Sequence, residues 1–85
     1  MRLDSGKYQQ ELRNWFAEWV KSQEDLRPRG WKAQFEKDAG IIEGYLYKLK
    51  DGKVRITVEN LTKIANQIGM LPSDILRQVE KNLFE

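Results

Sequence analysis

Hydrophobic residues recur at three- and four-residue spacing along most of the chain, the period of an α-helix buried on one face. The longest such run predicts a helix over about residues 7–23. Tyr8, Leu12, Trp15, Phe16, Trp19 and Val20 form its apolar stripe, and Gln9, Arg13, Glu18 and Lys21 fall outside it. Asp4 or Ser5 suits the cap at its start. The stretch SQEDLRPRG (22–30) breaks the pattern, because Pro28 disfavours helix at Arg27 and Gly30 marks a boundary. A short helix is predicted at about 31–38, with Trp31 and Phe35 on one face and Ala39-Gly40 closing it.

The pattern resumes in IIEGYLYKLK, which predicts a third helix at about 42–50 with Ile42, Leu46 and Leu49 facing inward. Asp51-Gly52 stops it. Thr57 is a good N-cap for a fourth helix at about 58–68, striped by Val58, Leu61, Ile64, Ala65 and Ile68 and ended by Gly69. Pro72 suits the first turn of a last helix at about 72–83, with Ile75, Leu76, Val79, Leu83 and Phe84 inward. The expected fold is therefore all-α, a five-helix bundle with an extended first helix. No repeat and no linker divides the chain, so residues 1–85 are expected to form one domain.

Composition narrows the function. The chain has no cysteine, which rules out disulfides and thiolate metal sites, and no histidine, the commonest general base and zinc ligand. It also lacks paired carboxylates in an apolar setting and a glycine-rich phosphate loop, so neither catalysis nor a cofactor is expected. No apolar run has the length of a signal peptide core or a bilayer span. A cytoplasmic protein with no membrane partner and no small-molecule ligand is expected.

Net charge is only +2, but its distribution is uneven. Arg27, Arg29, Lys32, Lys37, Lys48, Lys50, Lys53 and Arg55 face only Glu36, Asp38, Glu43 and Asp51 within the same stretch, leaving it at +4. The rest of the chain, with seven basic and nine acidic residues, stands at −2. A cationic middle between near-neutral ends fits a face that binds a polyanion.

Two short helices joined at a glycine within an all-helical chain form the helix-turn-helix arrangement, in which the second helix is free to enter a DNA major groove. From Phe35 to Ile75 the chain resembles the phage-repressor-like (Cro and repressor type) helix-turn-helix domains. The resemblance rests on Phe35, Gly40, Ile41, Leu46 and Leu49, on the pair Gly52-Lys53, and on Leu-x-x-Ile-Ala-x-x-Ile-Gly from Leu61 to Gly69, all without a gap. The sequence departs from the family at Glu36, usually a small residue and often alanine, and at Lys50, usually glutamate. It also has a longer approach, RPRGW, and no Ser, Thr or Gln on the third helix.

The resemblance implies sequence-specific binding of double-stranded DNA by a transcriptional regulator, nucleoid-associated when bound. Carried over by position, base contacts fall on Ile42, Glu43, Gly44 and Lys48, with Tyr45 and Tyr47 beside them. Glu43 suits cytosine N4, Lys48 suits guanine O6 and N7, Gly44 allows close backbone approach, and Ile42 or a tyrosine ring suits a thymine methyl. Both tyrosines cannot face inward on one helix, so at least one is expected outside. Phosphate contacts fall on Lys32, Lys50, Lys53 and Arg55, with Arg27 and Arg29 in the unusual approach loop extending the grip. Trp15, Phe16, Trp19 and Trp31 are expected in the core and not as base-stacking platforms. Regulators of this kind bind as two-fold dimers, and the C-terminal helix, through Leu83, Phe84 and Val79, is the expected homodimer surface. The alternative is a protein-interaction module, an antitoxin or adaptor on the same fold that does not read DNA.

Overall fold

The computed structural model describes residues 4–84; the outermost residues of the expected 1–85 domain lie outside the described residues. Five α-helices account for the regular structure: α1 (Ser5–Glu24), α2 (Trp31–Ala39), α3 (Tyr45–Asp51), α4 (Val58–Ile68) and α5 (Pro72–Phe84). The all-α, five-helix expectation is met, and the first helix is indeed the longest. Asp4 caps α1, its carboxylate accepting from the N–H groups of Gly6 at 2.9 Å and Lys7 at 3.3 Å. Thr57 caps α4 in the same way, accepting from Asn60 N–H at 3.2 Å.

α1 is the beam against which α3 and α5 pack, while α4 bridges α2 and α5. The core is formed by Leu12, Phe16 and Val20 from α1, Phe35 from α2, and Leu46 and Leu49 from α3. Leu61, Ile64 and Ala65 of α4 and Ile75 and Val79 of α5 close it. The tryptophans lie at its margin. Trp19 meets Trp31 edge-on at 6.0 Å, and Trp31 meets Phe35 at 6.1 Å, while Trp15 donates its indole N–H to Gln78 at 2.8 Å. Phe16 is in the core as expected, whereas the three tryptophans are half-buried and pack against the core's edge.

Three inward assignments are corrected. Ile42 is 78% exposed and Val58 79% exposed, and Phe84 is also on the surface. Ile42 lies ahead of α3 and not within it, so helical periodicity does not govern where its side chain points. Val58 and Phe84 are terminal residues of their helices, where fewer neighbouring elements remain to cover them.

Candidate nucleic-acid interface

The connection between α2 and α3 determines what this surface presents. α2 closes on Gly40, in the left-handed region at φ 76°, with the N–H groups of Gly40 and Ile41 both returning to the Glu36 carbonyl at 3.0 Å. The chain then runs through Ile41, which is buried, and the exposed Ile42 and Glu43 to Gly44. Gly44 stands at φ 87°, and α3 begins only at Tyr45. The expected third helix is thus three residues shorter at its start. Gly44 serves as a left-handed cap, a conformation costly for any residue with a Cβ, and not as a place of close approach within a helix.

A capping residue without a side chain leaves the first N–H groups of α3 unserved. Glu36, on the neighbouring helix, serves them. Its carboxylate accepts from Gly44 N–H at 3.0 Å and from Leu46 N–H at 2.9 Å, and only 3% of the residue is exposed. A buried acid at position 36 is thereby accounted for. A buried carboxylate is tolerated where its oxygens take charge-assisted hydrogen bonds, and here the donors are otherwise orphaned.

With the start of α3 fixed in this way, Leu46 and Leu49 point into the core while Tyr47 and Lys48 point out. Tyr45 is buried, which removes it from the expected base contacts; burial also pushes its phenol pKa up. Tyr47 is 61% exposed, so the two tyrosines do divide as helix geometry requires. The exposed face comprises Ile42, Glu43, Tyr47, Lys48 and Asp51.

Cations flank this face on both sides. Arg27, Arg29 and Lys32 share a cleft of about 580 Å³ with Glu43, Gly44 and Tyr47, so the lengthened approach loop lies alongside the start of α3. The Lys32 ammonium sits 4.4 Å from the centre of the Tyr47 ring. Arg27 lies 5.2 Å from the Trp31 ring centre and donates to Gln23 at 2.6 Å. On the other side, Lys48 and Lys53 line a smaller cleft with Asp51 and Val54. Lys53 and Arg55 are exposed, on a loop fastened from beneath by α1. Gln9 exchanges two hydrogen bonds with the backbone of Ile56, at 2.9 and 3.0 Å, and Arg13 donates to the Val54 carbonyl at 3.1 Å.

No family model, no curated protein and no solved structure matches this chain.

Lys32 and Lys50 differ from the other expected phosphate contacts. Both ammonium groups lie on Glu24, at 3.3 Å and 2.9 Å from its Oε1. The hydrogen bond from Lys50, and secondarily the adjacent Lys32 ammonium, holds the Glu24 carboxyl below the usual carboxylate range, against the opposing effect of desolvation. Glu24, Glu36, Gln9 and Arg13 are the site's supporting residues that hydrophobic periodicity missed. Each is a polar residue on a helix whose partner lies at least eight residues away, so no local spacing marks it.

Proposed function

We propose that this chain binds double-stranded DNA, with the exposed face of α3 in the major groove and the two cationic flanks on the phosphate backbones. One observation carries the proposal. The exposed side chains from Ile42 to Lys48 are flanked by the Arg27–Arg29 loop, which shares a cleft with Glu43 and Tyr47, and by Lys53, which shares one with Lys48, with exposed Arg55 two residues further on. Tyr47 and Lys48 are then the base readers, Tyr47 against a thymine methyl and Lys48 on guanine O6 and N7. Arg29, Lys53 and Arg55 are the primary phosphate contacts. Regulation of transcription, and membership of the repressor-like family, belong to the same proposal and rest on the sequence resemblance alone.

One helix reads few base pairs, so a two-fold dimer is part of the proposal. Val79 is fully buried in its own core and takes no part, which leaves exposed Phe84 and half-buried Leu83 as the contact.

The test is duplex binding followed by fluorescence anisotropy over a salt series. Each phosphate neutralised contributes a log–log slope of about −0.9, so going from about 50 to 200 mM salt should weaken binding at least tenfold. Replacing Lys53 and Arg55 with alanine should make the slope shallower by about 2. Affinity that ignores salt, or that survives loss of Lys48, Lys53 and Arg55 together, overturns the proposal. The second reading, a protein-binding face, is favoured by the exposed apolar side chain of Ile42 beside Glu43, and it predicts that second outcome.

A further inference from the structure

We infer that Glu24 is a positioning residue that withholds cationic charge from the proposed DNA face, competing with phosphate for Lys32 and Lys50. The inference rests on the DNA-binding proposal above and adds an internal control to it.

Lys32 comes from the first turn of α2 and Lys50 from the last turn of α3, yet both converge on one carboxylate near the end of α1. Lys50 reaches both oxygens, Oε1 at 2.9 Å and Oε2 at 3.1 Å, and Lys32 reaches Oε1 at 3.3 Å. The contact to Oε2 is a hydrogen bond and the two at Oε1 are ion pairs, so one oxyanion holds both ammonium groups, as a DNA phosphate would. Lys48, Lys53, Arg29 and Arg55 form no ion pair with any described residue. The expected phosphate contacts therefore fall into two classes, those open to an incoming phosphate and those already answered by an internal anion.

The Lys32 side chain is only 14% exposed, whereas Lys50 is 39% and Glu24 31% exposed. Glu24 and Lys32 line the cleft that also holds Arg27, Arg29 and Tyr47, and Lys50 reaches Glu24 from α3, so the proposed DNA backbone laid along α3 would pass close to the trio. A phosphate arriving there meets two ammonium groups and one carboxylate, a net of one positive charge. Glu24 lowers the attraction directly and also ties the lysine arms back. A sequence-specific binder gains from this, since charge that grips any phosphate strengthens binding to every sequence alike.

The test compares four chains on one duplex across salt: wild type, Glu24→Gln, Lys32→Gln and the double variant, with Glu18→Gln as a charge control. Glu18 lies on the same helix, and its nearest cation is Lys21 at 3.8 Å, so its loss changes net charge equally without freeing Lys32 or Lys50. Glu24→Gln keeps an oxygen acceptor for the lysines, and thermal unfolding of each chain confirms that binding is measured on folded protein.

The expected result is that Glu24→Gln tightens binding about three- to tenfold at low salt and steepens the salt slope by about 0.9 to 1.8, one or two additional phosphates. Glu18→Gln should change affinity by less than about twofold. Lys32→Gln should cost about twofold in the wild-type background and about tenfold beside Glu24→Gln, because only there is the ammonium free to meet phosphate. Equal costs in the two backgrounds, or a Glu24→Gln gain no larger than that of Glu18→Gln, overturn the inference while leaving wild-type DNA binding intact. A wild-type chain with no affinity for duplex overturns the DNA proposal and this inference together.

Discussion

α3 and α4 are consecutive helices that start in opposite ways. α4 carries its own instructions: Thr57 supplies the capping oxygen, an apolar stripe runs from Leu61 to Ile68, and Gly69 ends it in the left-handed region. α3 has a glycine for a cap, no side-chain bond at that position, and only seven residues. It is fastened at both ends from elsewhere, by Glu36 of α2 at its start and by Glu24 of α1 through Lys50 near its end. The comparison teaches that the helix proposed to meet DNA depends on tertiary contacts for its pose, whereas the helix behind it is encoded locally. A helix with its outer face left open buries less of itself and needs such fastening.

The strongest test of this contrast is Glu36→Ala. It leaves two backbone N–H groups without an acceptor in a buried place, which should destabilise the protein by about 3 kcal/mol. Chemical denaturation measures the total. Hydrogen exchange locates it, with the α3 amides losing protection well before those of α4. Glu36→Gln retains one acceptor oxygen and should cost roughly half as much. Equal loss of protection across α3 and α4 would show that the two helices are held alike and break the contrast.

Next in size is Gly44→Ala. No atom beyond its chain neighbours lies within 4 Å of where the new Cβ would stand, so the cost is one of backbone conformation at φ 87° and should be about 1.5 kcal/mol. Thr57→Ala removes the cap of α4 and should cost about 1 kcal/mol by the same denaturation measurement. An order reversed between these two would mean that α3 tolerates a relaxed start better than α4 does, and that Glu36 alone fixes its pose.

How far the sequence spoke follows the same division. The limits of α4 agree with periodicity and capping residue by residue, because the signals that define it lie within it or beside it. At α3, apolar spacing placed the start at Ile42 and turned Ile42 inward. Periodicity presumes a helix, and the helix begins three residues later. The outward position of Tyr47 and Lys48 was readable, since Leu46 and Leu49 fix which side is inside. The carboxylates were not. Glu36 and Glu24 occupy helical positions that look solvent-facing in any local window, and only the folded chain brings their partners to them. Gln9 and Arg13 follow the same logic, reaching the backbone of Ile56 and Val54 more than forty residues away to set the loop that carries Lys53 and Arg55.

The smallest expected effect separates the two helices by pH. Lys50 foremost, then Lys32, lowers the Glu24 pKa in the folded chain, so folding favours its ionised form. The stabilisation is therefore complete above the unfolded carboxyl value, about 4.3, and fades as pH falls through the lower folded value. Glu24→Gln has no such proton to bind at that position. Its thermal midpoint should lie below that of the wild-type chain near neutrality, with the gap closing in acid. Added salt should narrow the gap as well, because the pair is partly exposed to solvent. Thr57 does not titrate in this range, so the cost of Thr57→Ala should stay level over the same pH series. A Glu24→Gln gap that stays equally level would mean that the carboxylate contributes no charge to the folded state, and that α3 is held at its start alone.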